Sequence, residues 1–255
     1  MTLTMAWVRK VGQTEEMIIA SDSRLRSLGA WDAAPKIIPL PRGDAAIAFA
    51  GETNYAYPMM IQVINSINSY ANALSRRQPL AELKGHLIRV INLMLDQLND
   101  VPTELRESPA AFFLLAGYDW TTSDFKIWKL HFDESIGRFT FRPASPWRGE
   151  GNDEKVLSII GDEIGAARDF ILGQLRTSDG VRSGAFDMEP MRALAFMIDS
   201  EQFYSIGGHI QMVKVYKTMQ CVPFTISRNG TRSLLGRPLL EYEKSETIPT
   251  LTLDY

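Results

Sequence analysis

The feature that most restricts the fold of this chain is a hydrophobic period that switches back and forth along it. Over the first fifty residues apolar side chains alternate in four short runs. In Thr2 to Arg9, Met5 and Trp7 fall on one face and Thr4, Ala6 and Val8 on the other, the two-residue repeat of a strand. Val11-Gly12-Gln13-Thr14-Glu15 reads as a hairpin loop into a second run, Met17 to Ala20, which ends in Ser21-Asp22-Ser23-Arg24. Lys36 to Leu40 and Ala45 to Ala50 form another strand pair, turned by Pro41-Arg42-Gly43-Asp44. Connections this short predict antiparallel pairing.

The period then lengthens. Tyr55 to Leu74 carries apolar residues at Met59, Ile61, Val63, Ile64, Ile67 and Tyr70, which suits a helix, and Leu80 to Leu98 repeats the theme with Leu83, Leu87, Ile88, Ile91, Leu95 and Leu98. Ala110 to Gly117, Phe125 to Phe132, Phe139 to Phe141 and Val156 to Ile160 return to strands. Two further helices, Ile164 to Leu175 and Met188 to Gln202, precede the strands Gln211 to Tyr216 and Val222 to Ser227. Two helical pairs flanking antiparallel strands predict an α+β fold, a four-layer α-β-β-α sandwich of two antiparallel sheets. No linker interrupts it, so residues 1–255 read as a single domain with a polar C-terminal arm from about residue 241.

Composition removes several classes of function. A net charge of −3 argues against nucleic-acid binding. No stretch approaches the ~20 apolar residues of a membrane span. The sole cysteine, Cys221, excludes an internal disulfide and a multi-cysteine metal site. With no signal-peptide pattern at the N-terminus, a reducing cytoplasm is the expected setting, and the Asn229-Gly230-Thr231 sequon is expected to stay idle. The G-x-S-x-G elbow, H-E-x-x-H and phosphate-loop patterns are absent, and Gly149-Glu150-Gly151 lacks the third glycine of a dinucleotide site. His86, His131 and His209 are far apart and read as structural or solvated. Neither a cofactor nor a metal is expected.

Without a histidine base, the chain needs another way to activate a nucleophile. Thr2, once Met1 is trimmed, would supply hydroxyl and base together, because an α-amino group titrates at about 7.7–8.0. A nearby cation would favour the neutral amine and the alkoxide, and Lys36 is the candidate. Asp22 offers the charge to hold that lysine. Gly51, directly after a strand, is suited to present a backbone N–H to an oxyanion. Each residue also has an ordinary reading: a strand start at Thr2, a turn at Asp22, a surface lysine at Lys36 and a helix cap at Gly51.

The series resembles the proteasome β-subunit type of N-terminal nucleophile (Ntn) hydrolase, including bacterial proteasome-like peptidases. Thr2-Leu3-Thr4-Met5-Ala6-Trp7 resembles the start of a mature β subunit, and Ile18-Ile19-Ala20-Ser21-Asp22-Ser23-Arg24 its apolar-small-Asp-Ser-Arg segment. Pro35-Lys36-Ile37 sits where the family has its active-site lysine, and Phe49-Ala50-Gly51 resembles its oxyanion-hole segment. Ile159-Ile160-Gly161 and Ser205-Ile206-Gly207-Gly208 continue the likeness. Two positions depart from it. Gly161-Asp162-Glu163 stands where the family usually has Gly-Ser-Gly, which puts a carboxylate beside the amine. The aspartate of a later supporting pair falls at Phe203, leaving Ser205 as the supporting residue.

The resemblance implies a threonine-type hydrolase of peptide bonds, acting through Thr2, Asp22 and Lys36 with Gly51 as oxyanion donor and Asp162 and Ser205 in support. It also implies a peptide or protein substrate, a homo-oligomeric ring or stack, and a separate ATPase unfoldase as feeder. Two alternatives stand beside it: a catalytically silent ring scaffold or binding module, and an Ntn amidase acting on a small-molecule amide.

Overall fold

The computed structural model describes residues 2–26, 29–99, 108–148, 154–177, 186–243 and 247–253. Met1 and Gly149-Glu150-Gly151 lie outside the described residues. The chain is mixed α+β, with five α-helices among the described residues and mostly antiparallel sheets. Six strands open it: β1 (Leu3–Val11), β2 (Thr14–Ser21), β3 (Leu25–Arg26), β4 (Ala30–Trp31), β5 (Ile37–Pro39) and β6 (Ala45–Gly51). Helices α1 (Thr53–Ser69), α2 (Ala71–Leu74) and α3 (Leu80–Asp96) follow. Strands β7 (Ala111–Asp119), β8 (Asp124–Asp133), β9 (Arg138–Pro143), β10 (Pro146–Arg148) and β11 (Glu154–Gly161) come next. After α4 (Ile164–Thr177) and α5 (Glu189–Asp199), the chain ends in β12 (Gln211–Tyr216), β13 (Gln220–Arg228), β14 (Thr231–Leu234), β15 (Arg237–Pro238) and β16 (Thr250–Thr252).

The larger sheet runs β10-β11-β1-β2-β12-β13-β14-β15, and β16 lies parallel to β13. The second runs β5-β6-β7-β8-β9, and β3 and β4 form a small hairpin. Strand β1 is paired on both edges and buried on both faces, as its alternation of apolar residues requires. Leu3, Met5 and Trp7 enter a core shared with α4 and α5, while Ala6 and Val8 enter a different one. The turn into β2 is only Gly12-Gln13, because Val11 pairs with Thr14; Gly12 takes φ 59°, and the turn is tighter than the loop predicted.

Three apolar clusters hold these elements together. One joins β1, β2 and β11 to Ala167, Ile171 and Leu175 of α4 and Met191, Leu194 and Met197 of α5. The second joins Phe49, Phe113, Leu115 and Leu130 to Met59, Met60, Val63 and Ile67 of α1 and Leu83, Leu87 and Ile91 of α3. The third contains side chains of both large sheets, with Ala6, Val8, Met17 and Ile19 from one and Ala46, Ala48, Leu114 and Ala116 from the other. Each large aliphatic side chain buried this way contributes about 1.5–3 kcal/mol.

The helices differ from expectation at two ends. The run Tyr55 to Leu74 is not one helix: it starts at Thr53, and Tyr70 turns extended (φ −112°, ψ 104°) between α1 and α2. Similarly, Met188 to Gln202 stops being α-helical after Asp199, where a 3₁₀ turn (Glu201–Phe203) begins under a cap from Ser200. The stretch after residue 241 returns to the sheet at β16, and Leu253 is buried in the first cluster. No helix among the described residues is long and apolar enough to cross a membrane.

Candidate active site

The site grows from the open end of the β1–β2 pair. Asp22 follows the last residue of β2, and its backbone N–H donates to Leu3 O at 3.3 Å. Its carboxylate is fully enclosed and accepts four hydrogen bonds. Oδ1 takes Leu3 N–H at 3.0 Å and Lys36 Nζ at 2.9 Å; Oδ2 takes Arg24 N–H and Gly207 N–H, each at 3.1 Å. The bond from Arg24 is the local turn that Asp favours, and it ends the strand. The other three bonds draw β1, the start of β5 and the segment before β12 onto one carboxylate.

Lys36 and Asp22 both have 0 % side-chain exposure. Burial pushes the Lys36 ammonium below its ordinary pKa; Asp22, then Asp162 and Asp32, act against that push. Because the attraction to Asp22 is made without water, loss of either partner would strand a buried charge.

Thr2 is likewise buried, 0 % exposed in a chain that carries Met1. It is clamped to Asp162 at two points: Thr2 N donates to Asp162 Oδ2 at 2.9 Å, and Asp162 N–H donates to Thr2 O at 2.7 Å. This continues the β1–β11 register, in which Leu3 faces Gly161. Gly161 has φ 109°, and a Cβ there would come within 1.8 Å of Thr2 O, so no other residue allows the close approach. Glu163, two residues on, takes φ 54° with a side chain attached.

Strand β6 reaches the same end. Thr4 Oγ1 donates to Phe49 O at 3.2 Å and shares a 2.7 Å hydrogen bond with Ser21 Oγ. A Cβ on Gly161 would stand 3.4 Å from Ala50 Cβ. On β6, Phe49 N–H donates towards β5, to Lys36 O, while Glu52 N–H donates the other way, to Ala110 O. Strand alternation therefore aims Gly51 N–H to the Lys36 side, beyond the end of β5. A cleft of about 320 Å³ opens beside Gly51, lined by Leu25, Arg26, Glu52, Thr53, Asn54 and Ala110 as well.

The structure thus brings Thr2, Asp22, Lys36 and Asp162 together, with Gly51 at the edge of the group. Ser205 is linked less directly. It is buried at 7 % exposure, two residues before Gly207, whose N–H reaches Asp22. Phe203 packs in the α4–α5 cluster, near Phe196. His86 lies on α3 and His131 on β8, while His209 touches the site's margin by donating its backbone N–H to Ser23 Oγ at 2.7 Å. No group of three or more His, Cys, Asp or Glu among the described residues is placed to hold a metal.

Sequence reasoning missed Gln211. Its buried amide accepts Lys36 N–H at 2.8 Å and donates to Asp22 O at 3.0 Å and Ala34 O at 2.8 Å. One side chain on β12 therefore fixes the backbone on both sides of the ion pair. The available signal was an amide between Ile210 and Met212, at the head of a strand whose alternate residues Val213 and Val215 are apolar. Compared with known protein families and with curated proteins, the chain finds no match in either.

Proposed function

We propose that this chain is a threonine-type hydrolase of peptide or amide bonds, working through Thr2 after removal of Met1. The observation that carries this reading is the Asp22 carboxylate, which joins Lys36 Nζ (2.9 Å) to the backbone N–H next to Thr2 (3.0 Å). This supports the reading because the mechanism calls for an enclosed, paired cation near the threonine, and Asp22 holds both Lys36 and the residue after Thr2. In the proposed reaction, Thr2 Oγ adds to the substrate carbonyl as its proton passes to the free α-amine. The oxyanion formed is received by Gly51 N–H. Collapse expels the leaving amine with that proton, and water then hydrolyses the ester on Thr2.

The three apolar clusters support a four-layer α-β-β-α arrangement, with helices outside each sheet and a shared core between the sheets. With this reading go a peptide or protein substrate, a homo-oligomeric ring or stack, and an ATPase feeder. Intact-mass analysis of the untagged protein should show loss of Met1. A peptide boronate should then bind wild type and spare Thr2→Ala. A retained methionine sinks the mechanism.

One observation favours a second reading, a silent scaffold. A carboxylate 2.9 Å from the Thr2 nitrogen would hold a freed amine in its charged, non-basic form at neutral pH. An unmasked Thr2 that no boronate reaches at any pH would establish that alternative.

A further inference from the structure

A separate set of basic side chains lies on the second sheet. In β7–β8–β9 the register pairs Phe112 with His131 and His131 with Thr140; Leu114 with Lys129 and Lys129 with Arg142. Directly paired residues share a face, so Phe112, Lys129, His131 and Arg142 all rise from the side of the sheet turned to the third apolar cluster, which holds Leu114 and Ile127. They stand at the rim of that cluster, where its apolar residues give out. Lys129 Nζ lies 4.8 Å from the centroid of the Phe112 ring, which holds its charge above this face.

We propose that Lys129, His131 and Arg142, with Arg168 of α4 adding charge, form a site for an oxyanion, a carboxylate or phosphate on a small molecule or peptide. His131 is only 9 % exposed, yet Nδ1 and Nε2 are both buried without a hydrogen-bond partner among the described residues. A buried imidazole normally satisfies at least one nitrogen. No salt bridge among the described residues engages Lys129, Arg142 or Arg168. Asp133, further along β8, acts on His131, and its carboxylate is turned to the following loop, accepting Ser135 N–H at 3.0 Å and Ser135 O–H at 2.6 Å.

The charges press on one another. Burial, then the charges of Arg142 and Lys129, push His131 below its ordinary pKa, and the Lys129 backbone and then Asp133 act the other way. Lys129 is pushed down by burial, then by Arg142 and Arg168. A bound oxyanion would reverse each of these effects: it offers His131 an acceptor and Lys129 and Arg142 a counter-charge. The site needs neither Thr2 nor its amine, so it stands or falls apart from the hydrolase reading.

The test is NMR of the His131 ring in the full chain, assigned with His131→Asn. Sodium phosphate and N-acetylglutamate are titrated separately at constant ionic strength, with chloride as reference. One or both should move the His131 signal saturably and raise its midpoint pH. Arg142→Gln, an exposed position that leaves the fold intact, should weaken that binding about tenfold. A response to phosphate alone assigns phosphate chemistry; a response to N-acetylglutamate alone assigns carboxylate chemistry. The proposal is overturned if chloride reproduces both titrations, or if Arg142→Gln and Lys129→Met both leave them unchanged.

Discussion

Two buried ion pairs flank the short strand β5, and they are built differently. Lys36–Asp22, at its start, joins residues 14 apart in sequence, and its carboxylate also gathers N–H groups from its own turn and from two distant segments. Arg42–Asp44, just past its end, closes within two residues, through parallel bonds of 2.7 and 2.8 Å, and adds a 3.0 Å bond to Gln78 O. Side chains in both pairs are fully enclosed. The guanidinium cannot lose its proton and its planar fork matches one carboxylate, which suits a clip that fixes the β5–β6 turn against the segment before α3. The ammonium is a point charge whose pKa burial has already lowered, beside a threonine. Equal burial therefore hides unequal construction: the second pair clips backbone, while the first encloses an ammonium near the start of β1.

The largest effect should come from Lys36→Met. It leaves Asp22 charged and enclosed, at a cost of about 3–5 kcal/mol by denaturant unfolding, and boronate labelling of Thr2 should vanish. Labelling that survived would make the two pairs equivalent and end the comparison. Next, Gln211→Met removes a partner from Lys36 N–H, Asp22 O and Ala34 O together. A loss of about 2–3 kcal/mol is expected, with slower labelling in the folded fraction. Arg42→Lys keeps the charge but loses the fork; about 1–2 kcal/mol should go, while the labelling rate per folded molecule stays at the wild-type value. Smallest is Asp162→Asn. Removing that carboxylate favours the neutral amine, so labelling should set in at a pH about one unit lower than in wild type, measured from the pH–rate profile. An unmoved profile would mean that Asp162 does not act on the base.

Much of this was legible because strand alternation is a local signal. Met5 and Trp7 against Ala6 and Val8 assign both faces of β1, and the positions of Asp22 and Lys36 follow from where β2 stops and β5 begins. The break at Tyr70 was not legible. Ile67 to Tyr70 keeps helical spacing, so the apolar stripe continues through a residue whose backbone has turned extended. Gln211 was hidden for another reason. Alternation shows that its side chain points inward, but its three partners lie 175 to 189 residues away. Asp162 could be aligned as a departure, yet its two bonds to Thr2 depend on the pairing of β1 with β11, which no local pattern reveals.

That long reach has a consequence for the order in which the molecule assembles. The first two strands can form a hairpin by themselves, but β2 has its second neighbour only in β12, and Gln211 secures Asp22 across 189 residues. Until that late segment docks, Lys36 has no enclosed partner and stays hydrated. Contacts separated so widely close late and slowly. A growing polypeptide would therefore leave the ribosome with Asp22 and Lys36 still apart, and the ion pair would close only once the chain's own last third had folded.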